Sequence, residues 1–245
     1  MAETAAPIFL IGGGPASRAR KGPDPLFQAV FLRYGVQRPT VAYVGAASGD
    51  NDEFRIRNTG RLQEAGAGEV TLAPVCSLGG DGKKAKEVLE VSDLVFVSGG
   101  DVDAGIRFLE EKKMVDFLRR LYLSGKPFFG VSAGSIMLAQ KWVRWRDPDD
   151  DRSAELFPCL EFAPILCDTH GEDDGWQELQ ALLKLSSTGT IGYGISSGAA
   201  VVVEPCGDVY ALGGEVARFQ ARAGGVVQVE SLLPASLAPG QRLAM

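Results

Sequence analysis

Four short apolar runs, Pro7 to Ile11 (PIFLI), Thr40 to Val44 (TVAYV), Asp93 to Val97 (DLVFV) and the stretch from Lys126 (KPFFGV), each pass straight into a glycine-bearing turn. A run that is apolar at consecutive positions, rather than at every second one, suits a strand covered on both faces. Between these runs lie segments with helical spacing of apolar residues, Phe27 to Tyr34, Phe54 to Ala65, Lys83 to Val91 and Ile106 to Leu123, with a further strand over Glu69 to Leu72. The repeating unit is βα. It predicts a three-layer α/β sandwich around a mostly parallel central sheet, in which ligands bind beyond the carboxyl ends of the strands.

No Pro/Ser-rich linker, low-complexity tract or internal repeat divides the 245 residues, so one domain over 1–245 is expected, with a loose tail from about residue 234. A net charge of −6 argues against a nucleic-acid partner, which requires a basic face. The four cysteines, Cys76, Cys159, Cys167 and Cys206, lie in apolar contexts without CxxC spacing, and they read as buried reduced thiols. The amino terminus has no basic region ahead of its few apolar residues, and no run approaches the roughly 18 apolar residues of a membrane span. The expected setting is soluble and cytoplasmic.

Function is most legible in Gly130-Val131-Ser132-Ala133-Gly134, which joins a strand to a helical pattern. G-x-S-x-G is the nucleophile-elbow pattern: the serine occupies a strained corner, the glycines remove side chains that would collide, and the helix amino terminus favours a developing oxyanion. A serine that merely caps a helix is the plain alternative. Ser98-Gly99-Gly100-Asp101 ends the preceding strand, and the N–H of Gly100 is a candidate oxyanion donor, against an ordinary glycine turn. His170, the sole histidine, follows the apolar run Phe162 to Cys167 and is the one imidazole available as a base near neutral pH.

Other loops carry weaker signals. Gly12-Gly13-Gly14 resembles a dinucleotide fingerprint, but Ser17 stands where the last glycine would be, so no cofactor is expected. Ser48, Asp50 and Asn51 are candidate pocket rim or solvated loop. Arg144 to Arg152 (RWRDPDDDR), broken by Pro148, reads as a surface loop whose aspartates, Asp147, Asp149, Asp150 and Asp151, would bind a cation only if they converged. Asp168, His170, Glu172 and Asp173 are the residue types of a metal site, but crowded on one loop they rarely converge, and no metal is expected. Gly192 to Val203 reads as a strand pair about a Ser-Ser-Gly turn, and Asp208 to Leu212 and Gly225 to Val229 as closing antiparallel strands.

Taken in order, IFLIGGG, YVGAASGD, LVFVSGGD, FFGVSAGSIML, DTHG and GYGISSGAAVVV resemble the S51 serine peptidases, the family of peptidase E and cyanophycinase, over roughly Ile8 to Gln220. That family lies in the class I glutamine-amidotransferase-like superfamily, of flavodoxin-like fold. The resemblance implies Ser132 as nucleophile, His170 as general base and the N–H groups of Gly100 and Ala133 as oxyanion hole. It implies a short peptide or unusual amide as substrate.

Two departures qualify what the resemblance implies. An acidic pair is common in the family at the turn matching GISSG, where this chain has Ser196-Ser197. The third triad member is therefore open among Asp147, Asp168, and Ser197 or a backbone carbonyl. Family members that accept acidic side chains place arginine near the histidine, whereas GEDDGWQEL stands here. Asp101, Glu172 and Asp173 are candidate substrate-binding residues, and a basic or amide-bearing substrate is expected unless Arg144 and Arg146 fold over the site. The rival reading is a weakened or inactive member that binds a small molecule or peptide; a metal-assisted amidohydrolase is a third. An exposed edge or apolar helix face leaves a homodimer open.

Overall fold

The apolar runs become β1 (Ile8–Ile11), β2 (Val41–Val44), β4 (Leu94–Val97) and β5 (Phe128–Val131), and every residue in them is buried. The computed structural model describes residues 5–13, 21–76, 82–147 and 149–235. Gly14, Ser17, Pro148 and the tail past residue 235 lie outside the described residues. With β3 (Val70–Ala73) these strands form the parallel part of a seven-stranded sheet, in the order β3-β2-β4-β5-β1. Antiparallel β10 (Ala200–Val203) and β11 (Val209–Leu212) complete it beyond β1.

Successive strand residues feed opposite layers, which is why the runs show no polar alternation. Phe9, Ile11, Tyr43, Phe96 and Phe129 pack under α1 (Pro25–Tyr34) and α2 (Asp52–Glu64). Ile8, Leu10, Val44, Val97 and Phe128 face α3 (Gly82–Val91), α4 (Val102–Glu111), α5 (Val115–Leu123) and α6 (Ala133–Leu138). This is the three-layer arrangement expected.

Beyond α6 the chain builds a smaller annex. Antiparallel β6 (Lys141–Trp145) and β7 (Ala154–Pro158) make a ribbon. A four-stranded sheet runs β13-β12-β9-β8, from β8 (Leu166–Thr169), β9 (Ile191–Ile195), β12 (Val216–Arg222) and β13 (Gly225–Leu232). Its core of Val143, Leu166, Trp176, Leu179, Leu183 and Phe219 is closed by α7 (Gln177–Lys184).

Four expectations need correction. The span Ile106 to Leu123 is two helices, not one, because Lys113 adopts a left-handed φ of 54° between α4 and α5. Arg144 to Arg152 is not loop throughout, since Arg144 and Trp145 belong to β6, where cross-strand ion pairs satisfy the charged side chains. Within Gly192 to Val203, β9 and β10 do not pair: the Ser-Ser-Gly turn carries the chain from the four-stranded sheet to the seven-stranded one. Of the four cysteines, Cys159 and Cys167 are buried as expected, but Cys76 is half-buried and Cys206 is exposed.

Candidate active site

Ser132 follows β5 at φ 55° and ψ −127°, a strained conformation for a residue with a side chain, and α6 begins at the next residue. The corner is held by Ser132 N–H donating to Ile11 O at 2.9 Å, which extends the β1–β5 ladder by one bond. Gly134 is required by close approach. A Cβ there would sit 2.1 Å from Val97 O, so α6 can press against the end of β4 only without one. Gly100, at φ 141°, is required on both counts: its Cβ would meet Ala47 O at 2.0 Å.

His170 is the first residue past β8, at φ 45°, and its N–H continues the β8–β9 ladder to Ile195 O at 2.9 Å. Its Nε2 lies 2.8 Å from Ser132 Oγ. An imidazole that accepts from the hydroxyl through Nε2 carries its own proton on Nδ1. Among the described residues, no carboxylate forms an ion pair with His170 within 4.0 Å.

The pair opens into a cavity of about 290 Å³ whose lining includes Gly100, Asp101, Ala133, Trp142, Asp168 and Glu178. Neither Gly100 N–H nor Ala133 N–H meets an acceptor among the described residues, so both are available to a ligand oxygen. Asp174 completes a set of four lining acids, with no lysine or arginine in the same lining. Asp101 caps α4 through Ala104 N–H at 2.9 Å, Asp174 receives Trp176 N–H at 2.9 Å, and Glu178 receives Trp142 Nε1–H at 3.1 Å. Asp168 is buried, and its carboxyl is pushed up to about 7, first by burial and then by the charges of Glu178 and Asp174.

The other predicted residues fall elsewhere. Asp147 sits in the β6–β7 turn, where its carboxylate receives Asp149 N–H at 3.1 Å, and it does not line the cavity. Asp168 lines the cavity without an ion pair to His170. Glu172 and Asp173 lie in a short 3₁₀ turn over Glu172–Asp174 and are not part of the lining either. Glu172 Oε1 instead receives Ser197 N–H at 2.9 Å. Burial opposes the Glu172 charge, yet hydrogen bonds from Ser197 and the nearness of His170 hold its carboxyl below the usual range.

Arg144 is bound to Glu155 at 2.7 Å and Asp103 at 3.3 Å, and Arg146 to Glu155 at 2.7 Å, so neither neutralises the cavity. Ser48, Asp50 and Asn51 are not lining residues, although Ala47 beside them buttresses Gly100 and accepts Asp101 N–H at 2.7 Å. Among the described residues no group of three His, Cys, Asp or Glu side chains is arranged to hold a metal ion, and no helix is long and apolar enough to cross a membrane.

The two lining acids that the sequence reading did not single out, Asp174 and Glu178, were legible in principle. Asp174 ends the turn before α7, where it accepts Gln177 N–H at 3.3 Å, and Glu178 stands in the first turn of α7, which puts both at the helix end that follows the His170 loop.

The fold and its site are those of a mostly parallel α/β protein with an elbow serine and an imidazole at the carboxyl edge of the sheet, a class that includes many hydrolases. The family model described as Peptidase family S51 matches residues 8–207, and the chain belongs to that family, which supports a peptidase function. Peptidase E of Haemophilus influenzae (strain Rd) is 23% identical over 131 residues, 50% of this chain and 60% of the relative. Peptidase E of Actinobacillus pleuropneumoniae serotype 5b (strain L20) is 27% identical over 82 residues, 31% of this chain and 35% of the relative. The aligned part thus spans less than two thirds of either relative. The crystal structure of a peptidase from an acI-B1 Actinobacterium superposes with a TM-score of 0.69 at 18% identity, covering 95% of this chain and 98% of that one, which establishes the shared fold.

Proposed function

We propose that this protein is a serine-type peptidase or amide hydrolase that cleaves a short peptide or an unusual amide with Ser132 as nucleophile and His170 as base. The observation that carries the reading is the 2.8 Å contact between Ser132 Oγ and His170 Nε2 at the mouth of the cavity. Ser132 Oγ attacks the carbonyl carbon as its proton passes to Nε2, and the carbonyl π electrons move onto oxygen, within reach of the Gly100 and Ala133 N–H groups. Collapse of the tetrahedral species breaks the C–N bond while the imidazolium returns the proton to the departing amine. Water, deprotonated by the same imidazole, then releases the acyl group from Ser132 as a carboxylic acid.

The lining carboxylates Asp101, Asp174 and Glu178, joined by Asp168 as pH rises through about 7, favour a substrate with a cationic or amide-bearing group and disfavour an aspartyl one. A second reading has its own support. With no carboxylate paired to His170 among the described residues, a weakened or inactive member that binds a small molecule or peptide keeps the same cavity.

Mass-spectrometric scoring of a dipeptide and isopeptide library, with aspartyl, isoaspartyl, lysyl and arginyl members, separates these readings. Basic or amide-bearing members should be cleaved by wild type and left intact by Ser132→Ala and His170→Ala. Cleavage confined to aspartyl members would sink the specificity argument. Absence of any Ser132-dependent turnover would favour the binding protein.

A further inference from the structure

The two candidate catalytic side chains belong to different sheets. Ser132 follows β5 in the seven-stranded sheet, and His170 follows β8 in the four-stranded one. The 2.8 Å between them therefore depends on how the sheets are joined, not on the ladder of either.

Two short connections join them: Leu212 of β11 to Val216 of β12, and, on the side of the candidate site, Ile195, the last residue of β9, to Ala200, the first of β10. On one side the β9–β10 connection is tied to the end of β1, with Gly12 N–H donating to Ala199 O at 2.9 Å and Gly198 N–H to Gly13 O at 3.3 Å. The same strand end receives Ser132 N–H at Ile11 O. On the other side His170 N–H donates to Ile195 O at 2.9 Å. Between these ties Ser197 N–H donates to Glu172 Oε1 at 2.9 Å. Among the described residues, Glu172 is the one residue whose side chain receives a hydrogen bond from the residues between β9 and β10.

We propose that Glu172 is the positioning residue of this site: its carboxylate clamps the β9–β10 connection to the histidine loop and thereby sets the span from His170 to Ser132. The proposal rests on the Ser132–His170 reading. An exposed carboxylate hydrogen-bonded to a single neighbouring residue adds little to global stability. Placement is another matter, since an error of about 1 Å between reacting groups costs on the order of 10²-fold in rate. The negative charge also sits near His170, where it favours the imidazolium formed during attack.

The test uses the intact chain and a fluorophosphonate probe, so that no substrate need be known. Ser132 Oγ bonds to phosphorus as the P–F bond breaks, fluoride leaves, and the hydroxyl proton passes to His170 Nε2. Labelling is followed by intact-mass spectrometry, with Ser132→Ala as the unlabelled control. Glu172→Ala should label about tenfold more slowly while melting within about 2 °C of wild type. Glu172→Gln, whose amide oxygen accepts the same N–H, should regain most of the rate. Labelling of Glu172→Ala at the wild-type rate, failure of Gln to rescue, or a loss that tracks a lowered melting temperature would each overturn the clamp. Wild type that is not labelled at Ser132 would remove the hydrolase reading and this inference with it, whereas labelled wild type with an unaffected Glu172→Ala would remove the clamp alone.

Discussion

Replacing Asp168 with asparagine should stabilise this protein in a pH-dependent way. Asp168 is 6% exposed, and its carboxylate accepts Thr169 N–H at 2.7 Å. Burial, reinforced by Glu178 and Asp174, moves its carboxyl from the ordinary 3.8 to about 7. The folded chain therefore holds a proton that the unfolded chain has released, and stability falls as pH rises through that window. At 1.36 kcal/mol per pH unit the window caps the cost at about 4 kcal/mol, and relaxation around the charge makes about 2–4 kcal/mol the working range. Asparagine keeps an oxygen for the Thr169 N–H and removes the charge. In thermal melts from pH 4 to pH 8.5, Asp168→Asn and wild type should nearly coincide at the acid end. At the alkaline end the variant should melt higher by roughly 4–16 °C. Other titrating groups are common to both proteins and cancel in the difference. A gap independent of pH, or one that favours wild type as pH rises, would refute the reasoning.

Two further outcomes test the frame of the site and its charge. Gly134→Ala places a Cβ 2.1 Å from a backbone oxygen, which a side-chain rearrangement cannot relieve, so urea titration should show a loss of about 3 kcal/mol or more; a loss under about 0.5 kcal/mol would mean that α6 does not press on β4 as described. In a Ser132→Ala background, Asp174→Asn and Glu178→Gln should each weaken calorimetric binding of a lysyl or arginyl dipeptide by roughly threefold, and unchanged affinity would remove these acids from substrate choice.

The strands of the central sheet were readable because both of their faces are covered, so Ile8–Ile11 and Leu94–Val97 needed no alternation to identify them. The elbow was readable for a different reason. Its glycines answer to backbone contacts, so the local sequence carries the geometry of Ser132 almost unaided. The annex was harder. β12 (VARFQAR) hides its period because Arg218 and Gln220 alternate with buried Phe219 and Ala221 over too few residues to stand out. The break between α4 and α5 carries no glycine or proline; Lys113 takes the left-handed turn instead. Least legible was the partner of each loop acid. That Glu172 turns to Ser197 while Asp174 and Glu178 face the cavity depends on packing between sheets far apart in sequence.

Because the serine corner hangs from one sheet and the histidine, with three of the four cavity acids, from the other, the annex carries both the candidate base and most of the charge that lines the cavity. The corner at Ser132 stays anchored by β1, β4 and β5, so the annex can drift in charge or loop length only where the 2.8 Å from His170 to Ser132 is kept. Relatives that keep the corner and the histidine and differ elsewhere in the annex would then form a series of altered appetites around one fixed pair.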